Sequence, residues 1–244
     1  MAATDARPLD ALIGAALEVA AARGFAGALD AASGLAVIAE VKRRSPSKGA
    51  LHPVLDPAAL ASTYAAAGAS CLSVLTDSEF FGGSVADLQA ARAASGLPVL
   101  RKDFTVSAHD VVDARLMGAD AVLLIAAALD RGELVEYHRL AVELGLDVLV
   151  EIHDETELDV ALDAGATLIG VNQRDLVTFE VDHDRAARMA AVIPDGVVKV
   201  AESGVRDTDD AKRLAAAGYQ AILVGETLVT SRDPAEALRG LLAF

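Results

Sequence analysis

The sequence predicts an α/β protein, a (β/α)8 barrel preceded by an extra N-terminal helix. Its 244 residues are a usual length for one such barrel. After residue 35, short apolar runs rich in β-branched residues alternate with alanine-rich amphipathic segments, and eight such units can be counted. This alternation is typical of a parallel sheet, and eight units favour its closure. An open doubly wound sheet is less favoured, because no Gly-x-Gly-x-x-Gly follows the first strand.

The elements follow one another in regular order. Residues 8–24 are predicted to form an amphipathic helix within an N-terminal helical extension, 1–35. We expect residues 1–244 to form a single domain. The predicted strands are 36–41, 70–75, 98–101, 120–125, 146–151, 167–171, 197–201 and 221–224. The predicted helices lie near 57–67, 84–94, 107–117, 131–144, 155–164, 183–191, 207–217 and 233–242. Asp56-Pro57 and Ser107 are typical helix starts, and Gly68 and Gly118 are typical stops.

Composition limits the possible partners. The net charge of −15 argues against a surface for nucleic acid or anionic membrane. No apolar run approaches the roughly 18 residues that a membrane span needs, and the N-terminus has no secretory signal pattern. The single cysteine, Cys71, cannot form an internal disulfide. We therefore expect a cytoplasmic protein with a small-molecule partner, and a monomer, since no segment marks an interface.

The first predicted strand ends in two opposite charges. Glu40 and Lys42 are two residues apart, so they point to the same side of the strand. A carboxylate and an ammonium at the end of a buried strand are costly to place unless they serve chemistry. The loop that follows, rich in Ser, Gly and cations, is suited to an anion.

Other strands end in polar residues as well, and these strand ends meet at one rim of a barrel. The residues are Arg101-Lys102-Asp103 after strand 3, Glu151 after strand 5, Asn172 and Arg174 after strand 6, and Glu202 after strand 7. Burial at the rim would raise the pKa of Glu151 toward a useful acid–base range. Arg174 could instead bind Asp175 or a loop carbonyl. The five histidines lack metal-ligand spacing, and His153 is expected to be a solvated loop residue.

A phosphate site is expected after strands 7 and 8, where barrels of this type commonly bind phosphate. The candidate residues are Ser203, Gly204, Gly225 and Glu226, the last acting through its N–H group. Lys42 and Ser45 would close the site from strand 1, the neighbour of strand 8 around the barrel.

Seven motifs in this order resemble the indole-3-glycerol phosphate synthase family, the ring-closing enzymes of tryptophan biosynthesis. They are IAEVKRRSPSKG (38–49), FFGGS (80–84), PVLRKDF (98–104), LVEIH (149–153), GVNQRDL (170–176), AESGV (201–205) and VGE (224–226). The resemblance implies a lyase that converts 1-(2-carboxyphenylamino)-1-deoxyribulose 5-phosphate to indole-3-glycerol phosphate, carbon dioxide and water, with no cofactor and no metal.

The resemblance also implies residue roles. Catalytic roles fall to Lys102, Glu151, Lys42, Glu40, Asn172 and Glu202. Substrate or phosphate binding falls to Ser45, Arg174, Ser203, Gly204, Gly225 and Glu226. Lys102 resembles the general acid, with Glu40 linked to it; Lys42 would pair with the substrate carboxylate, and Glu151 would serve the dehydration. How acid and base roles divide between Lys102, Lys42 and Glu151 stays open at this point.

The segment before strand 1 is shorter than in many members of the family, where it normally covers part of the barrel mouth. Two alternatives are less favoured. A phosphoribosylanthranilate isomerase relies on a cysteine base at the end of strand 1, but here that end has Glu40 and Lys42, and Cys71 lies within strand 2. A catalytically silent, ligand-binding barrel would have broken acid–base positions, and none is broken.

Overall fold

The computed structural model describes residues 5–175 and 177–244, so the first four residues of the predicted 1–35 extension lie outside the described residues. Eight parallel strands form a closed barrel in the order β1-β8-β7-β6-β5-β4-β3-β2. The strands are β1 (Ala36–Val41), β2 (Cys71–Leu75), β3 (Val99–Lys102), β4 (Ala121–Ile125), β5 (Asp147–Ile152), β6 (Leu168–Asn172), β7 (Val198–Glu202) and β8 (Ala221–Val224). The predicted fold class is confirmed, and each strand begins and ends within one residue of its predicted limits.

Helices connect the strands on the outside of the barrel. They are α1 (Leu9–Leu17), α2 (Phe25–Asp30), α3 (Pro57–Ala67), α4 (Val85–Ser95), α5 (Ala108–Leu116), α6 (Arg131–Glu143), α7 (Glu155–Asp163), α8 (Arg185–Ala190), α9 (Thr208–Ala216), α10 (Glu226–Val229) and α11 (Pro234–Leu242). A 3-10 turn spans Ala126–Ala128, and Arg44–Ser45 pairs antiparallel with Gly49–Ala50. In the described residues, no helix is both long enough and apolar enough to cross a bilayer.

Strand alternation divides the apolar residues into two cores. Residues such as Val37 and Val41 face outward and pack beneath the helices. Residues such as Ile38, Leu100 and Leu149 face inward and fill the barrel. Because side chains alternate along a strand, the next inward position after each of these interior residues, toward the carboxyl end, lies at the barrel mouth.

Helix α2 closes the amino-terminal end of the barrel. Phe25 and Leu29 are almost fully buried against the interior residues at the starts of the strands. Asp147, at the start of β5, accepts a hydrogen bond from the Ala26 N–H (2.9 Å), and Asp120 accepts one from the Arg23 N–H (2.8 Å). The sequence predicted only one helix before β1; its residues 8–24 shorten to Leu9–Leu17, and α2 is an addition.

Helix α1 packs along the outside of the barrel against α5. Arg7, just before α1, forms an ion pair with Asp113 (2.7 Å). Buried Arg115 donates to the Val19 and Ala20 carbonyls (2.9 and 2.7 Å). The described part of the N-terminal extension therefore lies on the side and at the amino-terminal end of the barrel.

We predict that Phe25→Ala lowers the free energy of unfolding by about 3–5 kcal/mol, because it empties a fully buried aromatic position. Urea-induced unfolding would measure the change. Leu17→Ala is the control; its side chain is 59% exposed, so a change within about 0.5 kcal/mol is expected. An equal, small effect in both variants would show that α2 adds nothing to the core.

Candidate active site

A cavity of about 810 Å³ opens at the carboxyl ends of the strands. This is the end at which (β/α)8 enzymes form their active sites. The structure places every site residue predicted from the sequence in its lining: Glu40, Lys42, Ser45, Lys102, Glu151, Asn172, Arg174, Glu202, Ser203, Gly204, Gly225 and Glu226. Residues from six strands thus meet in one cavity.

Lys102, the last residue of β3, lies among buried carboxylates. Its Nζ is 3.3 Å from Glu151 Oε2 and 4.0 Å from Glu202 Oε2. Burial alone would lower the pKa of Lys102, but the charges of Glu151, Glu202 and Glu40 outweigh burial and raise it. Lys102 is therefore an ammonium group in this site.

Glu151 and Glu202 have opposite pKa shifts although both are buried. Burial would raise the pKa of Glu151, but Lys102 and a hydrogen bond from Asn172 Nδ2 (2.9 Å) lower it on balance. The pKa of Glu202 is raised, first by burial and then by the charge of Glu151, and its Oε1 is buried with no hydrogen-bond partner. The structure corrects the sequence expectation for Glu151, because its neighbours outweigh the effect of burial.

Glu40 and Lys42 point to the same side of β1 and form an ion pair of 2.5 Å. The family resemblance implied a link between Glu40 and Lys102, but the direct ion-pair partner of Glu40 is Lys42. Gly225 packs against this pair: a Cβ atom at residue 225 would lie 2.2 Å from Glu40 Oε1 and 3.0 Å from Lys42 Nζ. Gly225 therefore makes room for the ion pair as well as lining the cavity.

Arg174 binds its own loop. Its Nη1 donates to the Phe179 carbonyl (2.9 Å), and its backbone N–H donates to Asn172 Oδ1 (3.0 Å). Of the two structural partners that the sequence allowed for Arg174, Asp175 or a loop carbonyl, the structure shows the loop carbonyl. Asn172 is itself held on both sides, since its amide also donates to Glu151.

The loops after β7 and β8 line the part of the cavity that lies across the barrel from β3 and β4. Ser203 and Gly204 have φ angles of 65° and 74°, so the chain turns sharply as it leaves β7. A left-handed serine is strained, which suggests a functional constraint. Buried Gln173 donates to the Ser203 carbonyl (2.7 Å) and holds this turn. Helix α10 begins at Glu226, whose side chain points to Lys48 (3.7 Å), consistent with a role through its N–H group.

Sequence reasoning missed several residues of the site. Phe80, Phe104 and Phe179 line the cavity although each is more than 40% exposed. Exposed aromatic residues around a cavity indicate an apolar ligand group. Gly170 was also missed, although a glycine inside a strand often marks a position where another group comes close to the backbone. A Cβ atom there would lie 2.0 Å from Glu202 Oε1.

His153 was predicted to be a solvated loop residue, and this is wrong. Its side chain is only 12% exposed, and its Nδ1 lies 3.0 Å from Glu157 Oε2. Its Nε2 lies 3.8 Å from Glu151 Oε1. The rim position after β5 is covered by the start of α7, which buries the ring.

Two further features concern what surrounds the cavity. None of the described residues 5–35 is part of its lining, which begins at Glu40. The described part of the extension therefore leaves the mouth to the loops that follow the strands. In residues 5–175 and 177–244, no group of three His, Cys, Asp or Glu side chains is placed to hold a metal ion.

Known proteins resemble this chain at two levels. A family model described as indole-3-glycerol phosphate synthase matches residues 2–241. The indole-3-glycerol phosphate synthase of Parafrankia sp. (strain EAN1pec) is 55% identical over 208 residues, covering 85% of this chain and 78% of that protein. The protein of the same description from Beutenbergia cavernae is 52% identical over 238 residues, covering 98% and 88%.

Solved structures with much lower identity share the fold. A 3-hexulose-6-phosphate synthase superposes with a TM-score of 0.66 at 16% identity, covering 86% of this chain and 99% of that chain. A thiamine phosphate pyrophosphorylase from Pyrococcus furiosus superposes with a TM-score of 0.64 at 15% identity, covering 86% and 94%. These likenesses support the barrel fold alone.

We predict that Gly170→Ala displaces Glu202 and lowers turnover by about 10²-fold, the effect of a 1 Å misplacement of a catalytic group. Overpacking should also cost about 1–3 kcal/mol of stability. Gly14→Ala is the control: residue 14 lies in α1 with open space around it, so a stability gain of about 0.5–1 kcal/mol is expected. Wild-type turnover in Gly170→Ala would mean that the position of Glu202 does not matter.

Proposed function

The chain belongs to the indole-3-glycerol phosphate synthase family, and we propose that its cavity converts 1-(2-carboxyphenylamino)-1-deoxyribulose 5-phosphate to indole-3-glycerol phosphate. The reaction closes a ring, loses carbon dioxide and loses water, and it is a step of tryptophan biosynthesis. The observation that best supports the proposal is the charged Lys102 held between Glu151 and Glu202 inside the cavity. Ring closure onto a ketone needs such a cation.

Ring closure is the first chemical step. The aryl carbon that bears the carboxylate attacks the ketone carbon, and the ketone oxygen becomes a hydroxyl group. Lys102 donates the proton, as a general acid. Its raised pKa keeps Lys102 charged in the free site, so the proton is available when substrate binds.

Lys42 binds the substrate carboxylate. The ammonium group of Lys42 is paired with Glu40. The Lys42 side chain lies at the cavity wall and is only 15% exposed. The substrate carboxylate joins Glu40 at this ammonium group, so neither buried charge of the ion pair is left without a partner. Carbon dioxide then leaves, and the bonding electron pair returns to the aromatic ring.

Glu151 and Glu202 divide the remaining proton transfers. Their environments push their pKa values apart, which is the usual mark of an acid–base pair. Glu151 serves the dehydration first as its acid, once it has gained a proton, and then, ionised again, as its base. Glu202, with its raised pKa, donates a hydrogen bond to the substrate. Asn172 keeps Glu151 in position.

The two ends of the substrate fit two parts of the lining. Phosphate binds at Ser203, Gly204, Gly225 and Glu226, where a sharp turn and a helix start bring backbone N–H groups together. Ser45 lines the adjoining wall, after β1, the neighbour of β8. The aromatic ring lies against Phe80, Phe104 and Phe179. Arg174 is positioned near this end by the Phe179 carbonyl.

The proposal includes the setting in which the enzyme works. We propose a single-domain cytoplasmic monomer that binds neither nucleic acid nor membrane and needs no cofactor. The net charge of −15 and one buried free cysteine support this setting. Light scattering coupled to size-exclusion chromatography would test whether the protein is a monomer.

We predict that Lys102→Ala keeps the fold but lowers turnover by at least ~10²-fold, the lower range for a general acid. This loss equals about 2.7 kcal/mol of activation free energy. Turnover is followed by indole fluorescence, which is favourable here because the protein contains no tryptophan.

Lys212→Ala is the matched control, because that lysine lies on α9 with its side chain 50% exposed. Its turnover should equal that of the wild type. Two results would contradict the proposal. Near-wild-type turnover of Lys102→Ala would exclude Lys102 from the mechanism, and a wild-type protein that binds the substrate without forming indole would be a silent barrel.

A further inference from the structure

His153 approaches Glu151 from outside the cavity. Its Nε2 lies 3.8 Å from Glu151 Oε1, whereas the other carboxylate oxygen of Glu151 lies 3.3 Å from Lys102 Nζ. His153 is not part of the cavity lining. Glu151 therefore has the substrate space and Lys102 on one side and an imidazole on the other.

The ring of His153 is held in place by α7. Glu157 Oε2 accepts a hydrogen bond from the His153 backbone N–H (2.7 Å) and lies 3.0 Å from Nδ1. Nε2 is buried and has no hydrogen-bond partner. A buried nitrogen without a partner costs free energy, so its position next to a catalytic carboxylate calls for a functional reason. The Glu157 side chain is 21% exposed and connects the ring to solvent.

The proposed reaction takes up protons. Carbon–carbon bond formation turns the ketone oxygen into a hydroxyl group and uses one proton. Loss of carbon dioxide leaves its bonding electron pair in the ring and uses none. Dehydration uses a second proton to form water and releases one from the carbon chain. With the substrate carboxylate ionised, each turnover therefore takes one proton from solvent.

The cavity mouth is a poor route for this proton during turnover. Bound substrate lies between the mouth and the carboxylates at the bottom of the cavity. His153 and Glu157, in contrast, lead from Glu151 to the outer surface at the start of α7.

We propose that His153 is a positioning residue that supplies Glu151 with its proton from the outer side of the barrel, with Glu157 holding the imidazole. This inference rests on the proposed function. The imidazolium gives its Nε2 proton to Glu151 and becomes a neutral imidazole. The ring regains a proton from solvent on the Glu157 side, by rotation about its side-chain bonds. Glu151 passes its proton to the leaving hydroxyl group, which departs as water. The carboxylate of Glu151 then takes the proton that the carbon chain releases and returns it to Lys102, 3.3 Å away, which gave up its own proton in ring closure. The net proton from solvent thus enters through His153.

The surrounding charges keep a proton on His153 in the resting pair. Burial would lower the pKa of His153, but the hydrogen bond to Glu157 and the charges of Glu151 and Glu157 raise it on balance, against a smaller opposing effect of Arg185 on α8. Protonated His153 in turn helps to lower the pKa of Glu151. The resting pair is therefore an imidazolium beside an ionised carboxylate, and the proton moves to Glu151 only as the leaving hydroxyl group takes it up.

The test begins with wild-type turnover, since a protein without it would refute the proposed function rather than the role of His153. His153→Gln keeps a polar side chain that cannot be protonated. We predict that its kcat falls by about 10²-fold, within the range of proton-transfer groups, while KM changes less than twofold. The acid limb of the kcat–pH profile should move to higher pH, because loss of the imidazolium raises the pKa of Glu151.

Two more variants separate proton supply from structure. Glu157→Gln should move the alkaline limb to lower pH, because the pKa of His153 falls when its carboxylate partner is removed. The kcat of His153→Ala should rise with the concentration of imidazole buffer, whereas the kcat of the wild type should not. His109→Gln is the control; that ring lies on α5 and contacts the Arg7 carbonyl, so its kcat and pH profile should stay unchanged.

Two outcomes would overturn the inference. One is a His153→Gln enzyme with wild-type kcat and an unshifted pH profile. The other is a loss of kcat in His153→Ala that imidazole does not restore, accompanied by an unshifted pH profile in Glu157→Gln. The second result would make His153 a purely structural residue.

Discussion

The charge balance around Lys102 is the constraint on which the site depends. Three buried carboxylates, Glu40, Glu151 and Glu202, share the cavity with two ammonium groups, Lys42 and Lys102. Buried charges without partners are expensive, so one carboxylate is pushed toward its neutral form. Glu202 takes this role because it lies farther from Lys102 than Glu151 does. A neutral and an ionised carboxylate therefore coexist in the cavity because it holds a surplus of one negative charge.

These closely packed charged side chains require a residue without a side chain at two backbone positions. Gly170 lies under Glu202 and Gly225 lies under the Glu40–Lys42 pair, and a Cβ atom at either position would overlap a carboxylate oxygen. The two glycines belong to the walls of the site as much as the charged residues do. The strained turn at Ser203 also depends on its surroundings. Its φ of 65° persists only because Gln173 and the end of β7 fix the chain there.

The sequence predicted the strands and the inward-facing charged residues at their carboxyl ends, because both follow from period-two alternation. Leu100 faces the interior, so Lys102 must face the mouth, and the same rule places Glu151 and Glu202. It could not predict partners that depend on three-dimensional distance. The lowered pKa of Glu151 and the burial of His153 beneath α7 both depend on packing between elements. Helix α2 was missed because six residues are too few to show helical periodicity.

The apolar packing that stabilises the barrel and the charged residues of the site lie at opposite ends of the strands. At the amino-terminal end, Phe25 and Leu29 complete the interior core, and Asp120 and Asp147 bind backbone N–H groups. At the carboxyl end, the interior positions are filled by charges and glycines that add little to stability. Apolar burial at one end therefore offsets the desolvation of carboxylates at the other. The described part of the N-terminal extension contributes to this balance from the amino-terminal end and leaves the mouth to the loops that line the cavity.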